Sequence, residues 1–287
     1  SRGLGDVYKR QPDIRLIASD MDGTLLDAQG RISPRTLSAL KKAQEKGVIF
    51  TMCTGRFHTH CCALARDVGL NCSIIASNGG SVFDGISQRM VGEHLLDAAS
   101  ARMAQEIAER YPIQYRITMP GAFMDRHEAN GDGGGYFQQI TQVMLRDYHV
   151  QHICGAENIR AMLDQPVYKV FLFKFPDQEM RERARAELQQ VPGAYITTSG
   201  GLNLEVMPQG VDKGTGLAEL AAFYGIPLEN VMVFGDYDND LPMFRRAGYP
   251  VAMGNATDEI KRHAWQVTAP NTEDGLAQAI EKYVLSV

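Results

Sequence analysis

The chain has 287 residues and a formal net charge of −5 at pH 7, from 29 basic and 34 acidic side chains. Its length favours about two domains, and its hydrophobic content of 44% is sufficient for a sizeable core. The mildly acidic balance argues against a nucleic-acid surface, which needs clustered Lys and Arg. No apolar run reaches the roughly 18 residues of a membrane span. These values exclude a membrane protein and a typical DNA-binding protein.

The first eleven residues differ in character from the rest of the chain. They contain no apolar segment of the kind that a signal peptide has, and they resemble a translated sequencing adapter. We therefore expect residues 1–11 to be a non-native tail that takes no part in the fold.

Five cysteines are spread over the chain with no C-x-x-C pair among them, at Cys53, Cys61, Cys62, Cys72 and Cys154. An odd number without paired spacing predicts neither a disulfide framework nor a zinc site. The pattern is typical of reduced thiols, so we expect a cytoplasmic protein.

Strand and helix patterns alternate in two parts of the chain. Five short apolar runs predict buried strands, at residues 14–19, 48–53, 72–77, 231–235 and 265–268. Five runs between or after them predict helices, at residues 33–47, 57–68, 215–224, 241–247 and 272–285. This alternation predicts right-handed βαβ units and therefore an α/β fold with a Rossmann-like, mostly parallel sheet.

The middle of the chain has a different pattern. Two helical stretches and two strand-like runs occupy it, at residues 98–110, 178–190, 114–119 and 167–175. We interpret residues 85–199 as an inserted α+β domain. The core is then assembled from residues 12–84 and 200–287.

Polar residues follow the predicted core strands, at the edge where sheets of this kind bind ligands. Asp20 and Asp22 come directly after the first strand, and Gly23 permits a chain break that turns both carboxylates to the edge. Taken alone, an Asp-Gly turn is as often structural as functional.

Three further groups suit a phosphate ligand. Thr54-Gly55-Arg56 follows the second strand and supplies a hydroxyl and free N–H groups at a helix start. Ser77-Asn78-Gly79-Gly80 follows the third strand in the same way. Lys213 lies at the head of a helix, where a single lysine is more often an ordinary solvated charge. None of the three is specific by itself.

Three acids lie within five residues after the strand at 231–235: Asp236, Asp238 and Asp240. They would repel one another unless a cation lay among them. Mg²⁺ suits this pattern because it binds one or two carboxylates together with substrate phosphate and water. The spacing does not match the EF-hand calcium loop.

Together these groups supply a nucleophile, a hydroxyl, a cation and metal-binding carboxylates, which phosphoryl transfer through an aspartyl-phosphate requires. The sequence resembles the haloacid dehalogenase superfamily of phosphatases, and within it the Cof-type subfamily of sugar-phosphate hydrolases. Four motifs carry the resemblance: Asp20-Met21-Asp22-Gly23-Thr24, Thr54-Gly55-Arg56, Lys213 and Gly235-Asp236-x-x-Asn239-Asp240.

The resemblance implies roles for the acids. Asp20 would be the nucleophile and a metal ligand. Asp22 would be the general acid and base, with its backbone carbonyl also on Mg²⁺. Asp236 would be a further metal ligand, and Asp240 would orient Lys213 or a water on the metal.

The resemblance also implies how the substrate is held. Thr54 and Lys213 would bind the transferring phosphoryl group. Further substrate contacts would come from five residues: Gly55, Arg56, Ser77, Asn78 and Asn239. Tyr237 stands where relatives commonly carry Asn, a change that leaves the metal carboxylates intact and affects access to them. Asp238 is expected to be a solvated surface acid.

The sequence therefore predicts a Mg²⁺-dependent phosphatase that acts on small phosphorylated metabolites, sugar phosphates or related compounds, with no nucleic-acid or membrane partner. The insert would act as a cap whose residues set specificity, among them Tyr115, Arg116, Met124, Asp125, Arg126 and His127. Two alternatives remain at this point. A phosphosugar mutase on the same scaffold would regenerate a sugar bisphosphate, and a non-catalytic Mg²⁺- or phosphate-binding regulator would turn over no ester. The oligomeric state stays open.

Overall fold

The structure is a computed structural model that describes residues 12–127 and 135–286. The expected tail at residues 1–11 lies outside the described residues. Fourteen strands occur in the described part of the chain: β1 Leu16–Ser19, β2 Ile49–Cys53, β3 Ser73–Ala76, β4 Ser81–Asp84, β5 Arg89–Glu93, β6 Gln114–Met119, β7 Ala122–Asp125, β8 Gln151–Cys154, β9 Lys169–Phe173, β10 Ala194–Thr197, β11 Leu204–Pro208, β12 Val231–Gly235, β13 Tyr249–Ala252 and β14 Gln266–Val267.

The same residues form ten α-helices: α1 Pro34–Glu45, α2 His58–Asp67, α3 Ala98–Glu109, α4 Gly135–Asp147, α5 Ala156–Met162, α6 Gln178–Leu188, α7 Lys213–Phe223, α8 Leu241–Phe244, α9 Asp258–Arg262 and α10 Gly275–Ile280. Each of these helices is too short or too polar to cross a bilayer.

The larger sheet has eight strands in the order β14-β13-β12-β1-β2-β3-β4-β5. All pairs from β14 to β3 are parallel, and the last two pairs are antiparallel. Every residue of β1 and β12 is buried, as expected for parallel strands covered by helices on both faces. The predicted α/β class with a Rossmann-like parallel sheet is confirmed.

The smaller sheet has six strands in the order β10-β11-β9-β6-β7-β8, and every pair except β7 with β8 is antiparallel. Helices α3, α5 and α6 cover one face, and their buried residues share a core with Ile117, Val170 and Leu172. The residues that alternate with these, such as Thr118 and Phe171, point to the opposite face. This unit is the α+β insert that the sequence predicts.

The strand pairing indicates other boundaries for the insert than the expected ones, at both ends. Strand β5 (Arg89–Glu93) pairs with β4 in the larger sheet, and β11 (Leu204–Pro208) lies inside the smaller one. Strand β5 could not be predicted from an apolar pattern in the sequence, because it is an edge strand with mostly exposed side chains. We propose domain boundaries near residues 94 and 209 in place of 85 and 199.

The last predicted helix begins later than expected. Residues 271–273 form a 3₁₀ turn, and Asp274 adopts a left-handed conformation with φ +58°. Asp274 also accepts a 2.5 Å hydrogen bond from the Ser33 hydroxyl, which ties it to the start of α1. The helix therefore starts at Gly275, and Glu273 and Asp274 do not occupy its first turn.

Candidate active site

A fully buried lysine joins two of the predicted acids. Asp20 directly follows β1, and its N–H donates to the Phe234 carbonyl at 3.0 Å. Lys213 is the first residue of α7, and its Nζ donates to Oδ1 of Asp20 and to Oδ1 of Asp240, each at 2.6 Å. The Lys213 side chain is 0% exposed, so its charge acts at short range with little screening.

Burial perturbs the ionisation of this group. Burial raises the pKa of Asp20 well above its ordinary value, against the opposing effect of Lys213, and the negative charge of Asp240 raises it further. Burial alone would lower the pKa of Lys213, but the charges of Asp20 and Asp240 outweigh it and raise that pKa above its usual range. Lys213 therefore remains a cation at neutral pH.

Asp236 lies at the end of β12, opposite the first motif. The Thr24 hydroxyl donates to its Oδ1 at 2.9 Å. Gly23 has φ +79°, and a Cβ there would collide with the Asp236 carboxylate. Glycine is required here on both counts. Burial and the nearby charge of Asp240 raise the pKa of Asp236 to about 6.

The acids form a group that fits a hard cation. Carboxylate oxygens of Asp20, Asp236 and Asp240 lie within 4.8 Å of one another. Both carboxylate oxygens of Asp240 already accept hydrogen bonds. Its Oδ1 accepts from Lys213, and its Oδ2 accepts from the N–H groups of Asp236 at 2.9 Å and Tyr237 at 3.1 Å. Asp20 and Asp236 are thus the carboxylates available to a metal, and all-oxygen donors of this kind suit Mg²⁺.

Asp22 pairs with an arginine of the second motif. The Nε of Arg56 donates to Asp22 Oδ2 at 2.9 Å, and its Nη2 donates to Oδ1 at 2.5 Å. The Asp22 side chain is 62% exposed while that of Arg56 is 18% exposed. This bidentate pair holds the Asp22 carboxylate in one orientation. The sequence reasoning placed Arg56 with the substrate contacts and did not anticipate this partner.

The second motif and the loop after β3 support each other. The Thr54 N–H donates to Ile75 O at 2.8 Å, and the Asn78 N–H donates to Thr54 O at 2.9 Å. Gly79 has φ +99°, and a Cβ there would collide with the carbonyl of Asp212, the cap of α7. This close approach brings Lys213 beside the loop.

The structure separates the five expected substrate contacts. Gly55, Arg56 and Asn239 line a cavity over the motifs. Ser77 and Asn78 are buried behind its wall. The Ser77 hydroxyl has no hydrogen-bond partner among the described residues.

The cavity has a volume of about 360 Å³ and lies between the two sheets. Its lower wall comes from the loops that follow strands of the larger sheet and from the start of α2: Asp20, Asp22, Thr54, Gly55, Arg56, Phe57, His60, Asp236, Tyr237 and Asn239. We call the opposite wall the roof; it comes from the smaller sheet, from α4 and from the segment before β11: Arg116, Thr118, Phe123, Thr141, Met144, Lys169, Phe171, Ser199 and Glu205. Asp238 is exposed outside the cavity.

The roof divides the expected specificity residues. Arg116 lines the cavity. Tyr115 and Met124 pack into the helical core on the other face of the smaller sheet. Arg126 donates to two backbone carbonyls at 2.8 Å, and His127 is exposed.

Sequence reasoning missed most of the roof, including Lys169 and Glu205. The signal available was the alternation within β9, where Val170 and Leu172 are buried in the core and the residues that precede them, Lys169 and Phe171, line the cavity.

Comparison with known proteins agrees with this geometry. The family described as haloacid dehalogenase-like hydrolase matches residues 17–280. The Bacillus subtilis protein YcsE, named a 5-amino-6-(5-phospho-D-ribitylamino)uracil phosphatase, is 31% identical over 279 residues, 97% of this chain and 99% of the relative. YwtE of the same organism carries the same name, with 29% identity over 94% of this chain and 98% of the relative.

Solved structures share the whole fold. The structure of a haloacid dehalogenase-like hydrolase from B. subtilis matches with a TM-score of 0.80 and 25% identity, covering 93% of this chain and 99% of that one. The likeness therefore includes both the parallel-sheet core and the insert. On the family match, the motifs and the geometry of the site, the chain belongs to the haloacid dehalogenase-like hydrolase family and is a phosphatase of that type.

Proposed function

We propose that this chain hydrolyses small phosphate monoesters, sugar phosphates or related metabolites, in a Mg²⁺-dependent reaction through an aspartyl-phosphate on Asp20. The observation that carries the proposal is the fully buried Lys213, whose Nζ lies 2.6 Å from Asp240 and 2.6 Å from Asp20, the acid that lines the cavity. A buried cation beside a carboxylate that faces a cavity is suited to an anionic substrate. The names of YcsE and YwtE, which specify a phosphorylated metabolite, support the same class of substrate.

Charge is the main obstacle that the site has to overcome. A phosphate monoester dianion repels an attacking carboxylate, so positive groups must lie beside both. Lys213 supplies a fixed cation next to Asp20, and Thr54, which lines the cavity, would bind a phosphoryl oxygen through its hydroxyl. Mg²⁺ held by the Asp20 and Asp236 carboxylates and the Asp22 carbonyl would neutralise further charge on the transferring group.

The two carboxylates of the first motif have different roles in the reaction: Asp20 is the nucleophile and Asp22 transfers protons. In the first step an Asp20 oxygen attacks phosphorus, the bond from phosphorus to the leaving oxygen breaks, and Asp22 gives its proton to that oxygen. In the second step water attacks phosphorus and Asp22 takes the proton of that water. The bond to Asp20 then breaks and phosphate is released. In the resting protein both Asp22 oxygens accept hydrogen bonds from Arg56, which orients the ionised form that takes the proton of water in the second step. The proton given in the first step requires one of these two hydrogen bonds to open.

The first test is metal dependence. Release of phosphate from p-nitrophenyl phosphate should stop in EDTA and return with Mg²⁺. Ca²⁺ should support little turnover because its larger, looser coordination misplaces the reacting groups. Asp238→Asn is the matched control, since Asp238 is an exposed acid of the same loop and should behave like the wild type. Full activity in EDTA would contradict the metal assignment.

The second test is the covalent intermediate. After a rapid acid quench, mass spectrometry of the wild type should find added phosphate on the peptide that contains Asp20. Asp20→Asn should abolish both turnover and this modification, because an amide oxygen is a poor nucleophile. Phosphate on any other residue would disprove the proposed mechanism.

A further inference from the structure

Two rows of side chains cross the roof in register. In the first row Lys169 pairs with Thr118, which pairs with Phe123. In the second row Phe171 pairs with Arg116 on the neighbouring strand. Because adjacent strands lie about 4.8 Å apart, Phe123 is roughly 10 Å from Lys169 across the sheet. The two ends of the roof are therefore far enough apart to contact different parts of a ligand.

The Lys169 end adjoins the phosphate-binding loops. Lys169 Nζ donates to Glu205 Oε2 at 2.5 Å, and Asn78 Nδ2 donates to the same oxygen at 2.8 Å. A Cβ placed on Gly55 would lie 3.2 Å from Lys169 Nζ. A donor and an acceptor thus stand next to the site of phosphoryl transfer, where they suit the hydroxyl groups of a leaving alcohol.

The other end is a fixed stack of planar groups. Arg116 donates from Nε and Nη2 to the two oxygens of Asp125, at 2.7 and 2.8 Å, and His152 Nε2 lies 2.9 Å from Asp125 Oδ2. The guanidinium carbon of Arg116 lies 4.9 Å from the centre of the Phe123 ring. His152 stacks on Phe123 with centroids 4.3 Å apart. Because β7 lies between β6 and β8, the ring is held between a guanidinium and an imidazole.

This arrangement favours one ligand chemistry over another. The forked edge of Arg116 is occupied by Asp125, which also neutralises its charge, so the guanidinium has little left to clamp a second anion. Arg116 nevertheless lines the cavity together with Phe123, Phe171 and Met144, so it presents a charge-paired planar group there among apolar side chains. Flat, polarisable surfaces of this kind stack on planar rings.

We propose that Arg116, fixed by Asp125 and stacked on Phe123, determines specificity by binding an uncharged planar heterocycle at the far end of the leaving group. The preferred substrate is then a phosphate monoester in which a short hydroxylated chain separates the phosphate from such a ring. The proposal rests on the proposed function, because it requires the phosphate to lie at Asp20.

Uridine 5′-monophosphate and ribose 5-phosphate provide the test, because they share the phosphorylated sugar and differ by the uracil ring. The wild type should have a kcat/KM at least about 10-fold higher for the nucleotide, a factor typical of one stacked base. Arg116→Met and Phe123→Leu should each remove most of this advantage, chiefly through KM, and should change kcat/KM for ribose 5-phosphate by less than about 2-fold. Phe123→Leu leaves the Arg116–Asp125 pair intact and so covers the case in which Arg116→Met does not fold.

Two further variants separate planarity from charge. Arg116→Lys keeps the positive charge and loses the planar guanidinium, so it should lose the preference as Arg116→Met does. Arg183→Met is the matched control, because Arg183 is an exposed residue of α6 on the opposite face of the smaller sheet, and it should keep the wild-type preference.

Three results would overturn the proposal. The wild type could have equal kcat/KM for the nucleotide and the sugar phosphate, or Arg116→Lys could keep the full wild-type preference for the nucleotide. The third is a preference for phosphoglycolate that Arg116→Met removes selectively. The last would make Arg116 an anion-binding residue. Failure of the proposed function looks different, since the wild type would then release no phosphate from p-nitrophenyl phosphate with Mg²⁺ present.

Discussion

The two sheets contribute to the cavity in different ways. The larger sheet supplies Asp20 and Asp236 from the ends of parallel strands, together with Lys213 from the start of a helix. These groups are mostly buried and bonded to one another. The smaller sheet supplies side chains from the middle of its strands, such as Arg116 and Phe171, which lie side by side on one open face.

From this difference we expect replacements in the two parts to affect catalysis unequally. Each catalytic group is fixed by a backbone break or a close approach, as at Gly23, and changing one leaves buried charges without partners. The direction of a roof side chain depends on strand alternation and not on a backbone break, so its replacement leaves the backbone path in place, although Lys169 shares a buried ion pair with Glu205. Chemistry and specificity can therefore vary separately in this fold.

Replacement of the two buried lysines tests this difference between the sheets most directly. Lys213→Met leaves Asp20 and Asp240 without their cation, and Lys169→Met leaves Glu205 without its own. Loss of one partner from a buried ion pair costs about 3–5 kcal/mol, so urea unfolding should show a similar loss of stability in both. Turnover of p-nitrophenyl phosphate should fall at least about 10³-fold in Lys213→Met.

The activity of the roof variant is the control. Lys169→Met should lower turnover of p-nitrophenyl phosphate less than about 10-fold, because this small substrate needs few remote contacts. Equal catalytic losses in the two variants would show that the roof shares in the chemical step and would end the division between the sheets.

A smaller effect is expected from Asp22→Asn, within the larger sheet itself. General acid–base catalysis contributes about 10²–10⁴-fold, and we expect about 10² here because the exposed Asp22 side chain lets water replace it in part. An alkyl phosphate should suffer most, because its leaving alkoxide needs the proton. Turnover of p-nitrophenyl phosphate should fall less. The aspartyl-phosphate should also persist, since water attack lacks its base.

Mass spectrometry after a rapid quench measures this accumulation. Phosphate on the Asp20 peptide should be more abundant in Asp22→Asn than in the wild type. An equal loss on alkyl and aryl substrates, with no trapped phosphate, would remove Asp22 from proton transfer.

The two sheets also differ in how far their site residues could be predicted from the sequence. The acids of the larger sheet could be located because each follows an apolar run that reads as a strand, and the carboxyl ends of parallel strands share one edge. The ion pairs of these acids with Lys213 could not be predicted, because Lys213 lies 193 positions from Asp20 and 27 positions from Asp240 in the sequence. Those contacts depend on how α7 docks against the loop after β3.

In the smaller sheet the local pattern was insufficient. Tyr115 and Arg116 are neighbours in sequence, yet one lies in the helical core and the other on the cavity wall. Only register decides which, and a shift of one residue would exchange them. Strand β11 likewise could not be assigned to a sheet, because a buried strand has the same composition in either.

The last prediction concerns a carboxylate of the larger sheet that serves structure instead of catalysis. Asp84, at the end of β4, accepts hydrogen bonds from the Ser87 hydroxyl at 2.5 Å, from the Tyr224 hydroxyl, and from the N–H groups of Ser87 and Ile86 at 2.8 and 3.1 Å. Burial acts to raise its pKa, but these bonds to the ionised form prevail and lower the pKa to about 2. Asp236 differs in sign, since burial raises its pKa to about 6.

The two acids should therefore have opposite effects on stability. A folded-state pKa near 2 against 3.8 unfolded contributes about 2 kcal/mol above pH 4, which is lost as the pH falls toward 2. Asp84→Asn should lower the free energy of unfolding by about that amount at pH 7, and the gap to the wild type should narrow toward pH 3, with activity retained. In metal-free protein Asp236 opposes folding increasingly as the pH rises from 4 to 6, so Asp236→Asn should raise stability at pH 7 while activity is lost. Urea unfolding of the metal-free variants between pH 3 and pH 7 measures both. If Asp236→Asn instead lowered the free energy of unfolding at pH 7, as Asp84→Asn should, the Asp236 carboxylate would stabilise the metal-free fold. The conclusion that this acid destabilises the fold unless a cation is bound would then be wrong.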